Sequence, residues 1–349
     1  MPTPELATES ALRRAARLEA AVRGTIRTRM RTRGWRTKVI AYTGYGSADW
    51  IRVLGRVLLS TPGSGPRRKE AVRGWRSFLT LPVPEAAVVI EAGGVEYETS
   101  TDRGGYVDCV LPAALAAENG WATIQLHCDG AQAQAPIQVV GPDVRFGIIS
   151  DVDDTVMVTA LPRPMLAAWN TFVLDEHARS AVPGMAVLYE RLIMAHPGAP
   201  VLYLSTGAWN VAPALTRFLS RHLYPAGPLL LTDWGPAEDA WFRSGQQHKR
   251  VTLARLAREF PDVRWLLVGD DGQHDPTLYR EFASAYPESV AAVAIRRLSP
   301  AQSVLAGTLP APLDDRQRVR SIRPQGLIWL SAPDGAGLWR LLQEVDLVP

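Results

Sequence analysis

Along the chain, apolar positions recur first at helical spacing, then every second residue, then in short unbroken runs. Leu12, Ala15, Leu18, Val22, Ile26 and Met30 fall on one side of a helix, with Arg13, Arg14, Arg17, Arg27 and Arg31 mostly on the other. Arg29 interrupts the apolar stripe. Gly24 weakens the helix by roughly 1 kcal/mol relative to alanine. The pattern predicts a basic amphipathic helix over residues 1–37. From about Lys38 the period drops to two. Candidate strands are Lys38–Tyr42, Ile51–Leu59, Trp75–Leu79, Ala87–Glu91, Glu96–Thr101, Tyr106–Val110 and Trp121–His127. Glycine turns at 63–66, 93–94 and 104–105 separate some of them, which predicts a β-sandwich-like accessory domain over residues 38–141.

After Gly141-Pro142 the pattern changes again. Arg145–Ser150, Pro200–Ser205, Leu229–Thr232, Arg264–Gly269 and Val290–Ile295 read as buried strands. Helical stretches lie between them at Gly184–Ala195, Ala212–Arg221, Lys249–Phe260 and Thr277–Ala285. Near-continuous apolar strands alternating with helices predict an α/β domain with a doubly wound parallel sheet over residues 142–349. Leu327–Leu330 adds a further candidate strand and Gly337–Val345 a closing helix.

Composition removes several classes. The hydrophobic share of 47% and charged share of 21% are those of a globular chain, not a disordered or fibrous one. No apolar run approaches the ~18 residues that suggest a membrane-spanning helix. Two cysteines, Cys109 and Cys128, make no disulfide framework and no zinc spacing. The first thirty residues carry arginines without an apolar core, unlike a secretory signal, so a cytoplasmic protein is expected. The net charge of +3 conceals an asymmetry. Residues 1–38 hold ten basic residues against three acidic, a net of +7, and the remainder is net −4. A basic amphipathic helix fits either an anionic membrane surface or a helix packed on its own domain with solvated arginines.

Ligands of open parallel sheets bind at the carboxyl ends of the strands, so those ends are the places to look for chemistry. The first strand runs into Asp151-Val152-Asp153-Asp154-Thr155. Carboxylates this close raise one another's pKa unless a positive charge sits among them, and a divalent metal resolves the conflict. Hard oxygen ligands at this density suit Mg²⁺. The second strand ends in Ser205-Thr206-Gly207, which offers a hydroxyl to a phosphate oxygen or serves as ordinary turn chemistry. His248-Lys249-Arg250 is expected to open a helix, with Lys249 as a point charge for the site or as a plain surface lysine. The fourth strand ends in Gly269-Asp270-Asp271-Gly272-Gln273-His274-Asp275-Pro276, a second acidic cluster able to complete the site of Asp151 and Asp153.

This order resembles the haloacid dehalogenase superfamily of phosphatases: Asp-x-Asp-x-Thr at 151–155, then Ser205, Lys249, and Gly269-Asp270 with Asp275. More narrowly, Gly141 to Gly147, Ser150 to Thr155, Arg163-Pro164, Trp209-Asn210 and Gly272 to Pro276 resemble the actin-patch-associated phosphatidate phosphatase catalytic-domain family. Two departures stand out. Thr206-Gly207-Ala208 replaces the family's usual serine run and proline, and Asp271 stands where serine is common. The resemblance implies Asp151 as the nucleophile that forms an aspartyl-phosphate, and Asp153 as the general acid and base. It implies Ser205 and Lys249 as partners of the transferring oxygens. It also implies Mg²⁺ held by Asp151, Asp153 and Asp270, with Asp275 in support. The carboxylate nucleophile needs no base of its own.

The spans from Asp151 to Ser205 and from Ser205 to Lys249 leave no room for a large cap, so an open site is expected. Asp233–Gln247, with Trp234, Trp241, Phe242 and Arg243, is read as a loop forming its lip or as a packed loop. An open site and a basic helix favour a phosphorylated lipid headgroup, phosphatidate, with peripheral contact to an anionic membrane through residues 1–36. The alternatives are a phosphatase for a soluble phosphomonoester and a non-catalytic phosphoacceptor or binding module. Nucleic acid is not the expected partner, because no basic strand interleaved with aromatics appears.

Overall fold

The computed structural model describes residues 29–61, 80–118, 120–158, 180–232, 238–272, 274–300, 302, 319–322 and 326–349. The expected N-terminal helix lies outside the described residues except for its last turn, where residues 29–32 are helical. The expected strand Trp75–Leu79 and the Arg163-Pro164 pair also lie outside them. The chain divides into two compact units. The first comprises Met1–Ala41, Arg52–Leu111 and Thr123–Ala135. The second comprises Tyr42–Ile51, Pro112–Ala122 and Pro136–Pro349.

The first unit is built from antiparallel pairs. Strand β1 (Arg36–Ala41) pairs with β3 (Ile51–Ser60), and β3 with the short β4 (Leu81–Pro82). Strand β5 (Ala87–Ala92) pairs with β6 (Val95–Ser100) on one side and β8 (Trp121–Cys128) on the other, and β7 (Tyr106–Leu111) pairs with β3. Val88 and Ile90 of β5 are buried while Ala87 and Glu91 are exposed. That alternation is what a strand with one covered face produces. The turn between β5 and β6 uses Gly93 and Gly94, both at positive φ, as a type I′ hairpin turn requires. Strand β9 (Ala131–Val139) was not expected from its sequence. Its alternating positions are alanine and glutamine, and Pro136 argues against a strand, so the periodic signal is weak.

In the second unit, β2 (Gly44–Gly46) runs parallel to Ile137–Val139 of β9. Residues just before and within it engage side chains of the same unit. Tyr42 stacks on Trp209 with ring centroids 4.5 Å apart, and the Tyr45 hydroxyl donates to Glu259 at 2.7 Å. The core of the unit is a seven-stranded sheet in the order β12-β11-β10-β13-β14-β16-β15. Its strands are β10 (Phe146–Asp151), β11 (Val201–Ala208), β12 (Leu229–Thr232), β13 (Arg264–Asp270), β14 (Val290–Arg296), β15 (Val319–Ile322) and β16 (Leu327–Ala332). All neighbours are parallel except β15, which runs antiparallel to β16. Burial on both faces explains why β10, β12 and β14 are buried at every position and read as unbroken apolar runs.

Among the described residues the second unit carries the helices α1 (Met185–Ala195), α2 (Ala212–Arg221), α3 (Glu238–Glu259), α4 (Asp275–Ala285) and α5 (Gly335–Glu344). The tail thus supplies a strand and a helix where the sequence pattern places them. Helix α3 overturns one expectation. It begins at Glu238, so Lys249 lies in its middle rather than at its start, and residues 238–247 are helix rather than loop. Residues 233–237 lie outside the described residues. Gly245 inside the helix leaves space for its neighbour, since a Cβ there would stand 3.0 Å from Thr206 Cγ2.

Candidate active site

The sheet order reverses at β10: β11 and β12 extend to one side of it, and β13 begins the other. Such a reversal opens a crevice at the carboxyl ends of the two central strands. Register brings the chemistry there. Asp151 pairs with Leu204, one residue before Ser205, and Ser150 pairs with Val268, two residues before Asp270. Residues far apart in sequence therefore meet because three parallel strands end at one level.

Asp151, Asp270 and Asp275 are all buried, and each offers a carboxylate oxygen within 4.8 Å of the others. Lys249 reaches them from α3. Its Nζ donates to Asp151 Oδ1 at 2.7 Å and to Asp275 Oδ1 at 2.6 Å. Gly272 N donates to Asp270 Oδ1 at 2.7 Å. Asp275 Oδ2 is buried without a hydrogen-bond partner among the described residues. Gly269 is needed for this closeness, because a Cβ there would stand 2.5 Å from Asp275 Oδ2 and 2.8 Å from Tyr279 Cε2.

Burial pushes the Asp151 carboxyl well above its usual range, and Asp275 and Asp153 push the same way against Lys249. Asp270 is raised too, by burial first and then by Asp275, Asp151 and Asp154. Burial alone would lower Lys249, but Asp151 and Asp275 outweigh it and hold the ammonium above the ordinary lysine range. Three buried carboxylates against one ammonium leave an excess of two negative charges when all are ionised. Together with the orphaned Asp275 oxygen, that excess fits a hard divalent cation.

The turn after β10 carries the other expected residues. Thr155 Oγ1 donates to Asp151 Oδ2 at 3.3 Å. Ser205 Oγ donates to Asp153 Oδ2 at 3.1 Å and accepts from Gly207 N at 2.9 Å. The Asp153 carboxylate therefore faces Ser205, while Asp275 completes the carboxylate trio. The β11–β12 register shifts between Leu204 and Ala208, a bulge at Ser205–Gly207 that Thr232 Oγ1 braces by donating to the Thr206 and Gly207 carbonyls at 2.9 and 3.2 Å. The extra acid, Asp271, accepts from Leu298 N at 2.8 Å and stands outside the trio.

Several supporting residues are not foreseen from the sequence. The Ser150 and Tyr189 hydroxyls lie 2.6 Å apart, and Ser150 Oγ is also 2.6 Å from the Asp151 carbonyl, to which it donates. Tyr224 donates to the Val156 carbonyl at 2.8 Å, and Arg296 Nη1 to the Asp154 carbonyl at 2.5 Å. Arg296 had a usable signal: a charged residue at the carboxyl end of a buried strand, as at Asp151.

Acidic strand ends gathered around a lysine at a sheet reversal define an α/β protein with an anionic, cation-ready centre. Residues 146–297 match the family model described as phosphatidate phosphatase APP1, catalytic domain. Over that segment the chain is similar to the APP1-like family. Phosphatidate phosphatase APP1 of Saccharomyces cerevisiae is 26% identical over 183 residues, covering 52% of this chain and 30% of that protein. An uncharacterized protein of Schizosaccharomyces pombe is 23% identical over 210 residues, covering 58% of this chain and 34% of that one. The chain thus spans about a third of the length of these curated relatives. Among solved structures, a carbohydrate acetylesterase of Xanthomonas citri aligns over 78% of this chain and 73% of its own at 11% identity. Its TM-score of 0.28 carries no argument about fold or activity.

Proposed function

We propose that the chain is a Mg²⁺-dependent phosphatase of the haloacid dehalogenase type, with phosphatidate as its substrate. The observation that supports this most is the buried trio of Asp151, Asp270 and Asp275 with Lys249 between two of its members. The APP1-like family match supports the substrate. In this reading Asp151, Asp270 and the Asp153 backbone carbonyl would hold the cation, with Asp275 beside them. When bound, the cation offsets charge on the phosphoryl oxygens and on the carboxylates that approach them.

The protein's own groups perform the remaining work. Asp151 attacks phosphorus with a carboxylate oxygen and becomes an aspartyl-phosphate as the bond to the leaving oxygen breaks. Asp153, oriented by the Ser205 hydroxyl, gives its proton to that oxygen. As a carboxylate it then takes a proton from the water that releases phosphate. Lys249 stays charged between Asp151 and Asp275 and presents a fixed cation to the transferring oxygens. Phosphoryl transfer asks mainly for positioning and charge stabilisation, which this set supplies.

No helix among the described residues is long and apolar enough to cross a membrane. In this proposal the basic residues 1–36 bring the chain to an anionic surface at the cytoplasmic side, each Lys or Arg near it contributing about 1 kcal/mol. The strands of the first unit form a sandwich-like accessory module. The test is phosphate release with Mg²⁺ from phosphatidate in mixed micelles, against nucleotides and sugar phosphates. Release from phosphatidate above the soluble esters is expected. Faster turnover of a soluble ester would replace the lipid by that substrate, and release independent of divalent metal would remove the mechanism.

A further inference from the structure

The turn that carries Asp153 and Thr155 is held in an unfavourable backbone conformation. Asp154 has φ 55, in the left-handed region where the Cβ of an L-residue crowds the following carbonyl. Such a conformation persists only where its surroundings over-determine it. Here three groups hold it. Asp154 N donates to the Met157 carbonyl at 2.8 Å, Arg296 Nη1 donates to the Asp154 carbonyl at 2.5 Å, and Tyr224 donates to the Val156 carbonyl at 2.8 Å. Thr155, which bonds Asp151, lies between the two carbonyls that side chains grip.

Arg296 is an unusual residue to find here. It ends β14, lies beside Asp270 in the sheet register, and is only 4% exposed. A buried guanidinium is costly unless it is hydrogen-bonded and faces negative charge. Its fork donates to the Asp154 carbonyl and, through Nη2, to Gln302 Oε1 at 2.9 Å, while Nε has no hydrogen-bond partner among the described residues. Asp271 secures the strand end that carries it. Asp271 N donates to the Arg296 carbonyl at 3.1 Å, and its carboxylate accepts from Leu298 N.

We infer that Arg296 is a positioning residue: by gripping the Asp154 carbonyl it keeps the turn 152–157 in its left-handed form and thereby sets where Asp153 and Thr155 stand against Asp151. Asp271 acts one step further back, by fixing the end of β14. The part of this that concerns turnover rests on the phosphatase reading above, whereas the conformational part does not. Lysine carries the charge but lacks the planar fork that reaches two acceptors at once, so it should replace arginine only in part.

The test compares the full chain with Arg296→Met and Arg296→Lys by amide hydrogen exchange and by turnover of an aryl phosphate with Mg²⁺. Arg296→Met should speed exchange across residues 152–157 by about tenfold or more while leaving α1 and α5 unchanged, as for local opening. Its kcat should fall about 10- to 100-fold with KM within about threefold, the signature of a lost orientation rather than lost binding. Arg296→Lys should recover part of both effects. Unchanged exchange in Arg296→Met would overturn the proposal. So would a uniform rise across the sheet, which is what plain loss of core stability produces. A parent chain that releases no phosphate from any ester would overturn the phosphatase reading instead, and the exchange pattern would still decide the role of Arg296.

Discussion

The two acidic turns of the second unit carry similar charge and are built in opposite ways. In the first, Asp151, Asp153 and Asp154 sit on a turn that must pass through a left-handed residue and is gripped from outside. In the second, Asp270 closes a strand, Asp275 opens helix α4, and Gly269 supplies the space between them. The first turn keeps Asp153 and Asp154 out of the trio, and the second keeps Asp271 out. Asp154 lends its backbone carbonyl to Arg296, and Asp271 accepts from Leu298 N. Counting carboxylates therefore overstates the centre. Geometry selects one from the first turn and two from the second.

The comparison can be broken most sharply at Asp151, the one carboxylate that the first turn gives to the trio. Asp151→Asn should lower Mg²⁺-dependent phosphate release by roughly 10³-fold or more in a steady-state assay, as for loss of a nucleophile. Retained activity would assign the attack to another residue. Lys249→Met should destabilise the metal-free chain by about 3–5 kcal/mol in urea unfolding, because two buried carboxylates lose their cation. Added Mg²⁺ should return part of that loss. Equal stability without metal would show that the lysine does not balance the trio.

Two smaller effects probe the second turn. Gly269→Ala should cost about 1–3 kcal/mol by overpacking and weaken the midpoint shift produced by Mg²⁺, since its Cβ competes for the place of Asp275. Asp270→Asn concerns pH. Burial raises the folded pKa of Asp270 above its unfolded value, so the folded state holds this proton more tightly. Metal-free stability from this group is then greatest below the unfolded pKa and falls as pH rises toward the folded one. The asparagine variant should therefore gain stability over the parent in metal-free buffer, and gain more at high pH than at low. A gain that shrinks with rising pH would show that Asp270 is favoured as the charged form.

Much of the second unit is legible in its sequence. Strands covered on both faces must be apolar throughout, so β10, β12, β13 and β14 announce themselves, and the acids at their ends stand out against that background. Helix α3 starts earlier than its pattern suggests, at Glu238, and Gly245 within it makes room for Thr206. Strand β9 was missed because alanine and glutamine give little contrast between its faces. Arg296 escaped because its partner is a backbone carbonyl 142 residues away, and a carbonyl has no letter in the sequence.

By itself the sequence determined which residue types end the central strands, and in what order: Asp151 with Asp153, then Ser205, Lys249, and Asp270 with Asp275. Local rules suffice for this, because burial on two faces and the punctuation between elements are written residue by residue. Only the tertiary structure decided which carboxylates share one centre, that Lys249 joins Asp151 to Asp275, and that Asp153 turns to Ser205. Those choices depend on register between parallel strands and on space left by Gly269. Both are set by contacts between distant segments, which no local pattern encodes.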